Sequence, residues 1–188
     1  MTMLICGVLL WSVVHLVPCA MPGVRTGLVG KLGEGPFKGI FALLILVSVL
    51  LMVFGWRAAP QHVVYVTELW LQPTGMFTML LAFILMTMSA VPTNAKQVVR
   101  HPQLLGTLVW CYGHLLTNGD NLSILLFGGL GVWAALSIIM LNIRDGEWEK
   151  PEIVPASAEI KPVAIGCIIY AVLLVVHPYL SGVSPFPG

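Results

Sequence analysis

From Phe37 to Trp56 the sequence reads FKGIFALLILVSVLLMVFGW, with one charged side chain, Lys38, near its start. As a helix rising 1.5 Å per residue, such a run matches the ~30 Å hydrocarbon layer of a bilayer. The rest of the chain obeys the same constraint. Charged residues make up only 9% of the 188 positions and hydrophobic ones 58%, and the mean hydropathy is +0.95. A soluble domain carries roughly 25% charged residues, because its surface must stay wetted. Too little polar surface is available here to cover a globule of this size, so the expected solvent is lipid. Backbone groups in lipid must be satisfied internally, which leaves an all-α polytopic membrane bundle.

Polar punctuation divides the apolar sequence into six expected spans within one integral membrane domain covering residues 1–188: 3–17, 37–56, 74–91, 102–117, 122–143 and 162–180. Pro18 and the Gly/Pro-rich stretch Met21 to Pro36 close the first span, and Pro92 closes the third. Pro102 opens the fourth, where its missing N–H costs nothing. The turn Asn118-Gly119-Asp120-Asn121 separates the fourth from the fifth, and the polar loop Arg144 to Lys161 precedes the sixth. Spans 1 and 4 are short for an upright crossing. Met1 to Val17 holds no Lys or Arg, so it reads as a membrane helix and not as a secretory signal, which needs a cationic start.

If all six spans cross, the first, third and fifth loops share one side. They hold Arg25, Lys31, Lys38, Lys96, Arg100, Arg144, Lys150 and Lys161, against Arg57 alone on the other. The positive-inside rule then places both termini outside, which is the periplasm if the membrane is a bacterial inner one. A net charge of +1 offers no basic face for nucleic acid. Cys6, Cys19, Cys111 and Cys167 form no CxxC pair or zinc spacing and suit apolar packing.

The eight acidic residues all fall in loops or at span ends, which argues against proton or cation transport on buried carboxylates. What the spans contain is histidine: His15, His114 and His177, with His101 at the entrance of the fourth span and His62 in an outer, interfacial loop. An intramembrane imidazole is costly unless it is hydrogen-bonded or ligates something. The bland alternative is a neutral imidazole bonded to a carbonyl across helices. Along the fourth span Gln103, Thr107, Trp110, Cys111, His114 and Asn118 recur at steps of three and four, placing them on one face expected toward the bundle interior. Such a stripe either lines a site or glues helices together.

His101 and His114 stand ~20 Å apart on an ideal helix and cannot share a metal. Cys111 and His114 share a face, so they could serve as alternative ligands from one side of a haem iron, but not as its two trans ligands. The trans ligand must come from another helix, from His15 or His177; bis-His haem in a helical bundle needs no covalent motif. His15 lies ~18 Å from the outer end of its helix and His114 ~6 Å from the end of its own, so His177 matches the depth of His114 better. Arg100-His101-Pro102 at the positive surface suits an anion or cofactor at a helix N-terminus, or simply sets topology. Gly128-Gly129-Leu130-Gly131 suits tight helix packing, within the chain or between copies in a homo-oligomer.

The run Arg100-His101-Pro102-Gln103-Leu104-Leu105-Gly106, followed by Trp110, His114 and Asn118-Gly119-Asp120, resembles the core of the NnrU family of bacterial membrane proteins. His15 near the end of the first span and the ending from His177 through Gly182 to Pro187 resemble it too. The resemblance covers nearly the whole chain. The family is associated with nitrite and nitric oxide reduction in denitrifiers. Its relatives include the plastid 15-cis-zeta-carotene isomerases, which use haem b held by a first-helix histidine and the histidine of a WCxxH-like stretch. Trp110-Cys111-Tyr112-Gly113-His114 is similar to that stretch. The resemblance therefore implies haem b with His15 and His114 as iron ligands, Cys111 as the alternative ligand, and Arg100 with His101 near a propionate or an apolar small-molecule substrate. Two other expectations stand beside it. RHPxxxG also resembles the motif of membrane S-adenosylmethionine-dependent methyltransferases, although Leu105 replaces its aromatic residue. A non-catalytic assembly protein would use the histidines only to join helices.

Overall fold

A computed structural model describes residues 1–186; Pro187, the end of the terminal motif, lies outside the described residues. Seven helices account for most of the chain: α1 Thr2–Ala20, α2 Pro22–Leu32, α3 Glu34–Ala58, α4 Gln72–Met88, α5 Pro102–Thr117, α6 Asn121–Asp145 and α7 Ile160–Ser181. No strand occurs among the described residues. The all-α reading is correct, and each expected span coincides with a helix to within a few residues.

Five helical stretches are long and apolar enough to cross a membrane: Thr2–Ala20, Glu34–Ala58, Leu69–Met88, Asn121–Asp145 and Ala156–Ser181. The fourth expected span, α5, has 16 residues, about 24 Å, and falls short of a ~30 Å hydrocarbon layer. Two boundaries differ from expectation. Pro18 lies inside α1, because a proline in the last turn forfeits only its own bond to the preceding turn, while Met21 N–H still closes on Val17 O at 2.8 Å. The stretch from Met21 to Pro36, read as a connection, contains α2. Pro22 starts that helix, and Gly33, at φ 84°, ends it in a conformation open to glycine.

The chain divides into two compact units, one formed by residues 1–62 and 120–146, the other by 63–119 and 147–188. In the first unit α1 packs on α3 and α6. Gly7 meets Ser48 O and Met52, and Gly55 meets the Leu4 backbone, so the two helices approach closely where side chains would hold them apart. Leu4, Ser48 and Ala134 are fully buried. Gly129 lies under Val8, whereas a side chain at Gly128 would meet open space. Within the glycine-rich segment it is Gly129 that makes a close contact inside the chain. Ile124–Gly128 winds as a π-helical turn.

Asp120, 7% exposed, caps α6. Its carboxylate accepts the N–H groups of Leu122 (3.0 Å) and Ser123 (2.9 Å) and the Ser123 hydroxyl (2.6 Å). Burial alone would raise this carboxyl; the hydrogen bonds from Ser123, Gln61 and Leu122 outweigh it and hold the group below its ordinary value. A depressed carboxyl stabilises the fold fully above its unfolded value, near 3.9, and that stability is lost as pH falls through the lower folded value. Asp120→Ala should therefore cost about 0.5–2 kcal/mol at neutral pH. Thermal melts in detergent should show that difference shrinking below about pH 4.

In the second unit α4 lies between α5 and α7. Gly106 faces Ala82 and Met86 of α4, Gly113 faces Thr78 and Met79, and Gly166 of α7 faces Ile84. Thr87 Oγ1 donates to Pro162 O at 2.8 Å. By these pairings α5 and α7 run in the same direction, both antiparallel to α4. A polar clasp joins the loops beneath them. The Glu159 carboxylate accepts Thr93 Oγ1 and Asn94 N–H, both at 2.5 Å, while Asn94 exchanges two hydrogen bonds with Val154. Thr93 is 1% exposed, so Glu159→Ala leaves its hydroxyl without this acceptor and should cost about 1–3 kcal/mol, read as a lower melting temperature.

Much of the apolar surface faces outward: Leu43 is 58% exposed, Val132 61% and Val175 71%. A soluble protein does not present a surface of this kind on every long helix. In lipid it carries no penalty.

Candidate cofactor site

The second unit brings two of the three span histidines together. His114, near the end of α5, and His177, near the end of α7, stack with ring centroids 6.5 Å apart and planes 21° apart. Each is oriented by its own helix. His114 Nδ1 lies 3.1 Å from Trp110 O, one turn back. His177 Nδ1 lies 2.8 Å from Val183 O, beyond the helix end. A carbonyl can only accept, so each Nδ1 carries the proton and each Nε2 presents its lone pair. That tautomer is the one a metal requires, with the second nitrogen held as metal-bound histidines usually are.

The His177 arrangement depends on the chain reversing after α7. Gly182, at φ 79°, takes the left-handed C-cap position, which brings Val183 O back to the ring. Ser181 Oγ adds a contact 3.1 Å from His177 Nδ1. The motif from His177 to Val183 is therefore a clasp for one imidazole, and the glycine after a helix end was the sequence signal for it.

Cys111 is 3% exposed and sits one turn before His114 on α5. The rest of the expected stripe is mixed. Thr107 donates to Gln103 O at 3.0 Å, and Asn118 Nδ2 donates to His114 O at 2.9 Å. Gln103 itself is exposed. The residues that face α4 are Gly106 and Gly113, a small-residue seam that the stripe of polar positions did not reveal. Arg100 and His101 precede α5. That helix is continuous to Thr117, so they stand ~20 Å along the axis from His114.

His15 belongs to the first unit. Its Nδ1 lies 2.9 Å from Trp11 O, and its ring packs against Trp11 (4.3 Å), Trp133 (5.1 Å) and Phe41 (5.5 Å). The spacing Trp-x-x-x-His thus occurs twice, at Trp11/His15 and Trp110/His114, each with the imidazole bonded to the tryptophan carbonyl. Both of these bonds run within a single helix. His62 contributes backbone: its N–H donates to Asn121 Oδ1 at 2.8 Å, and its carbonyl accepts Asn121 N–H at 3.0 Å.

The family described as NnrU protein matches residues 3–185. The chain belongs to the NnrU family. Nothing matches among the curated proteins or the solved structures. The match takes in all seven helices, so both imidazole settings lie within the NnrU region. The donor set at His114 and His177 fits haem iron: two neutral imidazoles, oriented through Nδ1, with a thiol one turn away and no carboxylate beside them on α5 or α7.

Proposed function

We propose that this NnrU-family membrane protein holds haem b through His114 and His177, with Cys111 as an alternative ligand on the α5 side. The observation that supports this reading is the 6.5 Å separation of two nearly parallel imidazoles within one unit. The two rings would hold the iron through Nε2, one from α5 and one from α7, with each Nδ1 kept on a backbone carbonyl. The family resemblance names His15 as the partner of His114; the depth of the spans and the clasp on His177 favour His177.

When bound, haem supplies a one-electron centre or, in its ferrous form, a Lewis acid. The chain's own part is to fix two tautomers, to keep a thiol within one helical turn, and to surround the site with apolar side chains. Tyr112 and Val175, exposed at 59% and 71%, lie on the faces of α5 and α7 that lipid would cover, an approach open to an apolar substrate. The function that follows is haem-dependent chemistry at the bacterial inner membrane, either in nitrite and nitric oxide metabolism or as an isomerase-like reaction on an apolar molecule. If α5 crosses together with the five longer helices, the eight-to-one charge bias puts both termini in the periplasm.

The test is an optical spectrum of protein purified from haem-replete cells. A Soret band is expected and should disappear in His114→Ala. Colourless wild-type protein would refute the proposal.

A further inference from the structure

A cleft of about 350 Å³ opens in the first unit where α1, α2 and α3 meet, lined by His15, Cys19, Arg25, Phe37, Lys38 and Phe41. We infer that it binds the head and upper acyl region of an anionic glycerophospholipid.

Two independent observations carry this. The first is the charge and shape of the mouth. Arg25 lies 5.8 Å from the centroid of the Phe37 ring and makes no ion pair among the described residues. Lys38 is paired with Glu34 at 2.9 Å, both well exposed. That pair is roughly neutral, so the mouth keeps the charge of Arg25 in excess. Beneath it the walls become aromatic. This gradient, cation at the surface and apolar ring below, matches a molecule with an anionic head and a hydrocarbon body.

The second is the depth of the inner wall, where His15 and Phe41 line the cleft. His15 precedes the end of α1 at Ala20 by about 7 Å of helix axis. That is the depth, below a headgroup, of the boundary with the acyl chains, so the aromatic wall meets the apolar body of the lipid while the phosphate meets Arg25 and Lys38. The exposed apolar residues of α2, Val24, Leu28 and Leu32, recur every fourth position. They set that helix in the same interfacial layer.

The experiment is native mass spectrometry of the full chain in detergent, with dioleoylphosphatidylglycerol, dioleoylphosphatidylcholine or inorganic phosphate added. The site predicts one phosphatidylglycerol retained in preference to phosphatidylcholine, with phosphate alone unable to compete. Arg25→Gln/Lys38→Gln should weaken retention about 25-fold, at about fivefold for each cation near an anionic headgroup. Lys31→Gln removes a charge from the same helix but does not line the cleft, and should leave retention unchanged. Equal retention of both lipids, competition by phosphate alone, or an equal loss in Lys31→Gln would overturn the inference. So would unchanged lipid retention in Arg25→Gln/Lys38→Gln together with a lost Soret band, because the cations would then serve haem. Retention of phosphatidylglycerol by His114→Ala protein separates this site from the haem reading.

Discussion

His177→Ala protein purified from haem-replete cells should lack the Soret band, and His15→Ala protein should keep it. The contrast follows from what holds each ring. The rings of His114 and His177 have centroids 6.5 Å apart in one unit, so on the proposed haem reading removing either would take away one of two ligands. His15 is enclosed by Trp11, Trp133 and Phe41 and lines the cleft where α1, α2 and α3 meet. A finer variant probes orientation apart from ligation. Gly182→Val places a β-branched residue at φ 79°, a conformation that L side chains rarely adopt. Shifting that turn displaces Val183 O from His177 Nδ1 but leaves the imidazole in place. The expected result is retained haem with a shifted or broadened Soret band and weaker affinity, in the ~10–100-fold range typical of lost outer-shell hydrogen bonds. A Soret band lost in His15→Ala and kept in His177→Ala would assign the ligands as the family resemblance does and reject the pair argued here.

The difference between the two histidines also shows what could be read from the sequence. The long helices could be, because crossing lipid imposes a length and an absence of charge that a linear string displays directly. Phe37 to Trp56 falls within Glu34–Ala58, and α5 has the expected limits at Pro102 and Thr117. Helix α2 was hidden, since glycine and proline in Met21 to Pro36 read as breakers although Pro22 stands at the one helical position that tolerates it. The histidines stood out as costly residues in lipid. Their partners did not, because pairing is a tertiary fact. The neighbour of His177 is set by a glycine turn at Gly182 and by the parallel run of α5 and α7 across α4. The aromatic enclosure of His15 needs Trp133 from α6, far away in sequence. Likewise the polar stripe on α5 was visible as a period, while the face that packs on α4 turned out to be Gly106 and Gly113.

That glycine seam carries the second large prediction. Gly106→Ala adds one methyl group, and its carbon would lie 2.8 Å from Ala82 O and 2.9 Å from Met86 Cγ. The methionine side chain can move aside, but the carbonyl belongs to the backbone of α4 and cannot yield without separating the helices. Overpacking of this kind costs typically 1–3 kcal/mol, and here it acts on the helix pair that positions His114. Gly128→Ala is the matched control. Its added carbon meets nothing within 4 Å, so the ordinary preference for alanine over glycine in a helix should leave stability unchanged or raise it by about 0.5–1 kcal/mol. Thermal unfolding in detergent should therefore move in opposite directions for two chemically identical substitutions. Equal melting temperatures for the two variants would mean that α4 and α5 do not meet at Gly106, and the placement of His114 beside His177 would lose its structural support.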